Sequence, residues 1–280
     1  MAARYRPGPH ELGQNFLVDP RTITAVVRLA AQGRRPLVEW AAGNGAVTEQ
    51  LATLGLPLEA VELDPRQVQH LRRRLGPHVT VTQGDILRHA PPRHRHDLVC
   101  NVPFGITTPV LRRLLTLQHW QRAILITQWE VARKRAGVGG ATQLTAQWWP
   151  WFEFSVRQRV PSAAFRPRPS VDAGLLLIER RPAPLLGRRL PDDQALDDRA
   201  LDDRARYQRW VRDVFNGRGS GLRQILARAG GAPPERVDAW CARQGLTERT
   251  LPRDLTAQQW VDGYRATAIG QPGPGAASRR

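Results

Sequence analysis

Between residues 21 and 127, short apolar runs of strand length alternate with helix-forming segments. That alternation restricts the chain to an α/β fold built on a parallel, Rossmann-like sheet. The strand-like runs fall at 36–40, 58–63, 79–82, 97–100 and 123–127, and the helical segments at about 21–31, 47–54, 65–75 and 109–117. Two later apolar runs, 154–160 and 174–179, read as an antiparallel hairpin at one edge of the sheet.

Open α/β sheets bind ligands at the carboxyl ends of their strands, so the residues there carry the chemistry. The fourth strand, Asp97-Leu98-Val99-Cys100, runs into Asn101-Val102-Pro103-Phe104. The Asn101 amide oxygen and the Val102 carbonyl can accept hydrogen bonds from an exocyclic amine, Pro103 stiffens the turn, and Phe104 can stack on a base. This set suits methylation of the amino group of adenine. That amine is a poor nucleophile because its lone pair is delocalised into the ring. Two acceptors on its hydrogens draw the nitrogen toward tetrahedral geometry and free the lone pair. A sulfonium methyl donor supplies a good leaving group, so neither a metal nor a strong base is required. Taken alone, the four residues also fit a plain strand-to-helix turn.

The other strand ends narrow the choice. The first turn, Glu39-Trp40-Ala41-Ala42-Gly43-Asn44-Gly45, is rich in small residues that let backbone approach a nucleoside closely. Glu62, ending the second strand, is placed to bind two ribose hydroxyls, and Asp85, ending the third, to accept from an adenine amino group. Each alone fits a helix cap or a solvated turn. An NAD site begins in the same way, but an NAD enzyme has no use for Asn-Val-Pro-Phe on its fourth strand.

A net charge of +17 and a pI near 11.5 point to a polyanionic partner, since clustered cations gain affinity by releasing phosphate counterions. Lys134 is the only lysine, a bias that reflects a GC-rich coding genome more than RNA chemistry. The first 181 residues hold 25 basic and 13 acidic side chains and the remainder 17 and 12, so the larger part supplies most of the attraction. Cys100 and Cys241 are far apart and lack metal-ligand spacing, which suggests neither a disulfide framework nor a zinc site. No apolar run approaches membrane-spanning length and the N-terminus has no signal-peptide core, so a soluble, cytoplasmic protein is expected.

From residue 10 to about 181 the chain resembles the Erm family of 23S rRNA adenine-N6 methyltransferases, with weaker similarity beyond. The resemblance rests on ELGQNFL at 11–17, EWAAGNG at 39–45, VELD at 61–64, GDI at 84–86, NVPF at 101–104 and FRPRPSVD at 165–172. The stretch QWEVARKRAGVGGATQLTAQWWPWFEF at 128–154 resembles high-GC actinobacterial members especially. It implies a Rossmann-like S-adenosylmethionine-dependent methyltransferase domain at 1–181, with a basic N-terminal arm. A helical RNA-binding accessory domain follows at 182–269, with a disordered tail at 270–280. The implied donor contacts are Gln14, Asn15, Leu17, Glu39, Ala41, Gly43, Glu62, Leu63, Asp85, Ile86 and Asn101. The implied catalytic residues are Asn101, Val102, Pro103 and Phe104, and Phe165 joins Phe104 in clamping a flipped target adenine. Ala41 departs from the family, where many members have glycine. Its methyl is tolerable if φ stays negative, with at most weakened donor binding.

Flipping a base out of its stack costs a few kcal/mol, and aromatic stacking returns about 1–3 kcal/mol. Arg133, Lys134 and Arg135, with Arg112 and Arg113, are candidates to line the RNA path. Trp148, Trp149 and Trp151 read as packing rather than as a base platform, and the tandem ALDDR at 195–204 as a spacer or helix start. The resemblance implies methylation of one adenine at the peptide exit tunnel and resistance to macrolides, lincosamides and streptogramin B. It also implies a monomer that acts on free or pre-assembly 23S rRNA. The alternatives are a small-subunit rRNA adenine dimethylase of ribosome assembly and a non-catalytic RNA-binding factor on the same fold. A DNA adenine methyltransferase is also conceivable. QWEVARKRAG disfavours the first, and the intact set Glu62, Asp85, Asn101 and Phe104 disfavours the second. The Phe165 segment and the small helical tail speak for structured RNA over DNA.

Overall fold

A computed structural model describes residues 15–187, 198–219 and 221–268, so Gln14, positions 195–197 of the first ALDDR copy and the 270–280 tail lie outside the described residues. The chain opens with β1 (Phe16–Leu17) and α1 (Pro20–Gly33), followed by β2 (Leu37–Trp40), α2 (Ala46–Ala52), β3 (Leu58–Glu62), α3 (Pro65–Arg74) and β4 (Val79–Gln83). Next come β5 (His96–Asn101), α4 (Thr107–Thr116), β6 (Trp120–Gln128), α5 (Trp129–Arg135) and α6 (Gln143–Trp148). Then follow β7 (Phe152–Val160), β8 (Phe165–Arg166) and β9 (Ala173–Arg180). Four further helices are α7 (Asp198–Asn216), α8 (Leu222–Gly230), α9 (Pro234–Arg243) and α10 (Ala257–Thr267).

Seven strands form one sheet in the order β4-β3-β2-β5-β6-β9-β7. β2, β3, β4, β5 and β6 pair parallel, and β9 returns antiparallel to β6. All four residues of β2 are buried, as in a parallel strand covered on both faces, and Glu39 is its one polar member. Helix starts are written locally. The Asp19 carboxylate accepts from the Thr22 N–H at 2.9 Å, and Asp64 accepts from the Arg66 N–H at 2.8 Å. A proline follows each cap, where its missing N–H costs nothing. α1 then buries Thr22, Val26 and Ala30, a stripe at i, i+4 spacing.

The alternating core appears as expected, while two features were not legible. β1 pairs antiparallel with β8, Phe16 opposite Arg166 and Leu17 opposite Phe165, in a separate two-stranded ribbon. α5 and α6 are short helices in a stretch that carries no clear periodicity. The ALDDR repeat bears out the helix-start reading, since α7 begins at Asp198 and contains the whole second copy.

The chain divides into two compact units, 1–136 with 153–180, and 137–152 with 181–280. The 137–152 segment therefore belongs with the helical unit, although the sequence reading assigned it to the larger domain. Within that unit the Tyr207 hydroxyl donates to the Ala146 carbonyl at 3.0 Å. The Arg204 guanidinium lies 5.2 Å from the Trp148 ring centroid and 5.1 Å from that of Trp151, so both tryptophans are packing residues. A Cβ on Gly230 would stand 2.6 Å from the Thr267 carbonyl oxygen. Gly230→Ala should therefore cost about 1–3 kcal/mol by overpacking α8 against α10. A urea or thermal unfolding curve equal to that of the parent would contradict this close contact.

Candidate functional site

Parallel pairing sets Trp40 opposite both Val61 and Cys100. The next residues along the three strands, Ala41, Glu62 and Asn101, therefore come level at one edge. Around them lies a cavity of about 540 Å³, within the range of about 300–1,000 Å³ usual for small-molecule sites. The first strand end contributes Glu39, Ala41 and Gly43, the second Glu62 and Leu63, and the third Asp85 and Ile86. Asn101, Val102, Pro103 and Phe104 line it from the fourth, and Asn15 and Leu17 from the N-terminal segment.

Glu62 is the best anchored group. Its Oε2 accepts from the Gly43 N–H at 2.8 Å and its Oε1 from the Asp64 N–H at 2.9 Å. Two backbone donors fix the carboxylate while leaving each oxygen a second lone pair. Gly43 has φ +56°, and a Cβ there would meet the Phe16 ring at 3.0 Å, so only glycine keeps this cradle open. Asp85 accepts from the Leu87 N–H at 2.8 Å, which turns the chain beneath the cavity wall.

Asn101 is oriented from behind. Its Nδ2 donates to the Asn15 carbonyl at 2.8 Å. An amide whose NH₂ is held in this way presents its oxygen as an acceptor. The Val102 N–H donates to the Ile126 carbonyl at 2.9 Å, which pins the turn to β6. Cys100 beneath is buried packing, and burial pushes its thiol well up.

Two expectations change. Ala41 adopts φ +57°, in the left-handed region, so the condition under which its methyl is harmless does not hold. A residue with a Cβ pays about 1–2 kcal/mol there. Phe165 is fully buried and does not line the cavity. Its ring lies edge-on to Phe104, with centroids 6.4 Å apart at 67°, so the two rings do not stand face to face about a base-wide gap. β8 pairing with β1 is what draws Phe165 into the core.

The cations spread over several settings. Arg112 and Lys134 are exposed. Burial first, and then the charge of Arg112, push the Arg135 guanidinium down. Arg133 donates to Glu130 at 3.2 Å. Arg113 instead turns inward to the His89 carbonyl. Phe16, Asn44, Leu87 and Ile106 also line the cavity without having been singled out. Phe16 lies inside the QNFL motif and Asn44 inside the donor turn, so proximity to a motif was their only signal.

Glu39 is buried, its Oε2 has no hydrogen-bond partner, and it faces the same cavity. Burial, opposed by the Thr48 hydroxyl and aided by the charge of Glu62, raises its pKa from 4.5 to about 8.

A carboxylate anchored by backbone, an unsatisfied buried acid and an oriented amide around one cavity suit a Rossmann-like methyltransferase with a nucleoside donor, the class that the relatives of this chain share. The sequence profile of the family described as ribosomal RNA adenine dimethylase matches residues 8–268. The chain is 48% identical over 259 residues to the mycinamicin-resistance protein MyrB of Micromonospora griseorubida, covering 92% of this chain and 78% of that protein. It is 39% identical over 254 residues to an rRNA adenine N-6-methyltransferase of Corynebacterium diphtheriae, covering 90% and 95%. The crystal structure of the 23S rRNA methyltransferase ErmE superposes with a TM-score of 0.78 at 30% identity, covering 90% of this chain and 99% of that one. The chain belongs to the ribosomal RNA adenine dimethylase family, and its cofactor is S-adenosyl-L-methionine. The Gly43 cradle, the Glu62 carboxylate and the unpaired Glu39 oxygen fit that donor's ribose and ammonium groups. Among the described residues no helix is long and apolar enough to cross a membrane.

Glu39 yields a pH prediction. Folded, it holds its proton up to about pH 8, whereas an unfolded chain releases it near 4.5. The folded state binds more protons in that window, so stability should fall as pH rises through it, by an amount on the order of a few kcal/mol. Glu39→Gln should flatten the slope in the donor-free protein. Parallel melting curves for variant and parent across the window would mean that Glu39 is ionised in the folded chain.

Proposed function

We propose that this protein methylates the exocyclic N6 amine of one adenine in 23S rRNA at the peptide exit tunnel. The modification would confer resistance to macrolide, lincosamide and streptogramin B antibiotics. The hydrogen bond from Asn101 to the Asn15 carbonyl carries the reading, because it commits the amide oxygen to a substrate donor. The relatives support the substrate: one is named an rRNA adenine N-6-methyltransferase, one a 23S rRNA methyltransferase, and one for mycinamicin resistance.

When bound, S-adenosylmethionine supplies an electrophilic sulfonium methyl and a neutral thioether leaving group. Everything else falls to this chain. Glu62 takes the ribose hydroxyls and Asp85 the adenine amino group of the donor. Gln14, Asn15, Leu17, Ala41, Leu63 and Ile86 complete its surroundings. The Asn101 oxygen and the Val102 carbonyl accept the two hydrogens of the target amine, and Pro103 holds the turn. Phe104 stacks on the flipped base, with Phe165 behind it. Arg112, Arg133, Lys134 and Arg135 line the RNA path, and the helical region at 182–269 adds RNA contacts. The protein acts in the cytoplasm, as a monomer, on free or pre-assembly RNA. The runner-up, a small-subunit rRNA adenine dimethylase, would use the same catalytic residues, and the QWEVARKRAG stretch weighs against it.

Asn101→Ala removes an interaction that strengthens as the amine pyramidalises. Transfer should fall by about 10²–10³-fold, the usual scale for one preorganised active-site hydrogen-bonding group. S-adenosylmethionine and RNA should bind as before, and cells carrying the variant should become macrolide-sensitive at normal protein levels. Cells that stay resistant with unmethylated RNA would mean that the protein acts by occupying the ribosome.

A further inference from the structure

We propose that His89 is a positioning residue for the methyl donor, its imidazole locking the left-handed turn at Ala41 through Trp40. The inference rests on the donor site described above and adds to it a residue outside the cavity.

A left-handed alanine persists only where its surroundings over-determine it. On the far side of Ala41 the Ala42 N–H donates to the Val61 carbonyl at 3.1 Å. On the near side stands Trp40, fully buried, whose indole N–H donates to His89 Nδ1 at 3.2 Å. The two rings meet edge-on, with centroids 6.4 Å apart at 89°. The other ring nitrogen of His89 lies 3.1 Å from Glu59 Oε1, which also accepts the Thr82 hydroxyl at 2.8 Å. An indole N–H can only donate and a carboxylate can only accept, so the neutral tautomer is set: Nδ1 bare, Nε2 protonated. The His89 hydrogen bond is also what holds Glu59 below the usual carboxylate range.

The backbone of His89 ties in two more walls. Its N–H donates to the Asp85 carbonyl at 2.8 Å, closing the turn that carries the donor-facing Asp85. Its carbonyl accepts the Arg113 guanidinium from α4, the helix that follows the Asn101 turn. One residue outside the cavity thus joins β2, the Asp85 turn and α4. Packing alone would be served by phenylalanine or leucine, neither of which accepts from Trp40. The alanine that departs from glycine and the Trp–His pair form one device, in which the pair holds a conformation that glycine would adopt unaided.

The test uses the whole chain, with S-adenosylmethionine itself as the probe in calorimetry. His89→Gln keeps a group near Nε2 for Glu59 but removes the acceptor for Trp40. It should weaken donor binding by about 3–10-fold, the scale of one net hydrogen bond. The KM for RNA and the kcat at saturating donor should stay near those of the parent. His89→Asn, whose amide oxygen falls near Nδ1, should retain most of the affinity. Trp40→Phe, which removes the donor from the other side, should reproduce the His89→Gln loss and serves if that variant folds poorly. Adding Ala41→Gly to His89→Gln should restore donor affinity, a rescue that a merely structural histidine would not show. Unchanged donor affinity in both His89→Gln and Trp40→Phe would overturn the proposal, as would a loss that Ala41→Gly fails to relieve. A parent protein that binds no S-adenosylmethionine would instead overturn the donor site and this inference together.

Discussion

The structure depends on the level alignment of three parallel strands. Because Trp40 pairs with both Val61 and Cys100, the chain leaves the sheet at Ala41, Glu62 and Asn101 side by side. A one-residue slip would turn each of these side chains to the opposite face of the sheet. The burial of β2 and of nearly all of β5 opposes such a slip, since it would break the packing along both strands. The residues proposed to hold donor and target are thus placed by the same contacts that stabilise the core.

Charge is divided by depth. Glu39, Glu62 and Asp85 line the cavity, while among the described residues no arginine or lysine does. This separation suits two partners of opposite demand: a donor with a positive sulfonium and ammonium, and an anionic RNA. Glu39 keeping its proton spares the fold a second buried charge beside Glu62. The N-terminal segment touches two strand ends, since the Asn15 carbonyl holds the Asn101 amide and Phe16 limits the loop at Gly43.

Much of this was legible because it is local. Strand periodicity, the caps at Asp19 and Asp64, and the residues at four strand ends can be read within a few positions of sequence. What was not legible depends on distant pairing. The β1–β8 ribbon joins residues about 150 positions apart and explains why Phe165 is buried instead of facing Phe104 across a gap. The φ of Ala41 depends on what surrounds the turn and not on the residue itself, so assuming a negative value was the wrong default. Arg113 illustrates the limit of reading charge runs, since its neighbour Arg112 is exposed while it turns inward to His89.

The most direct measurement is a map of N6-methylated adenines in the ribosomal RNA of a naive bacterium expressing this protein. Primer extension and mass spectrometry can each provide it. The account predicts methylation at a single adenine in 23S rRNA at the peptide exit tunnel, absent from cells expressing Asn101→Ala. Methylation confined to small-subunit RNA, or resistance without any new methyl group, would contradict it.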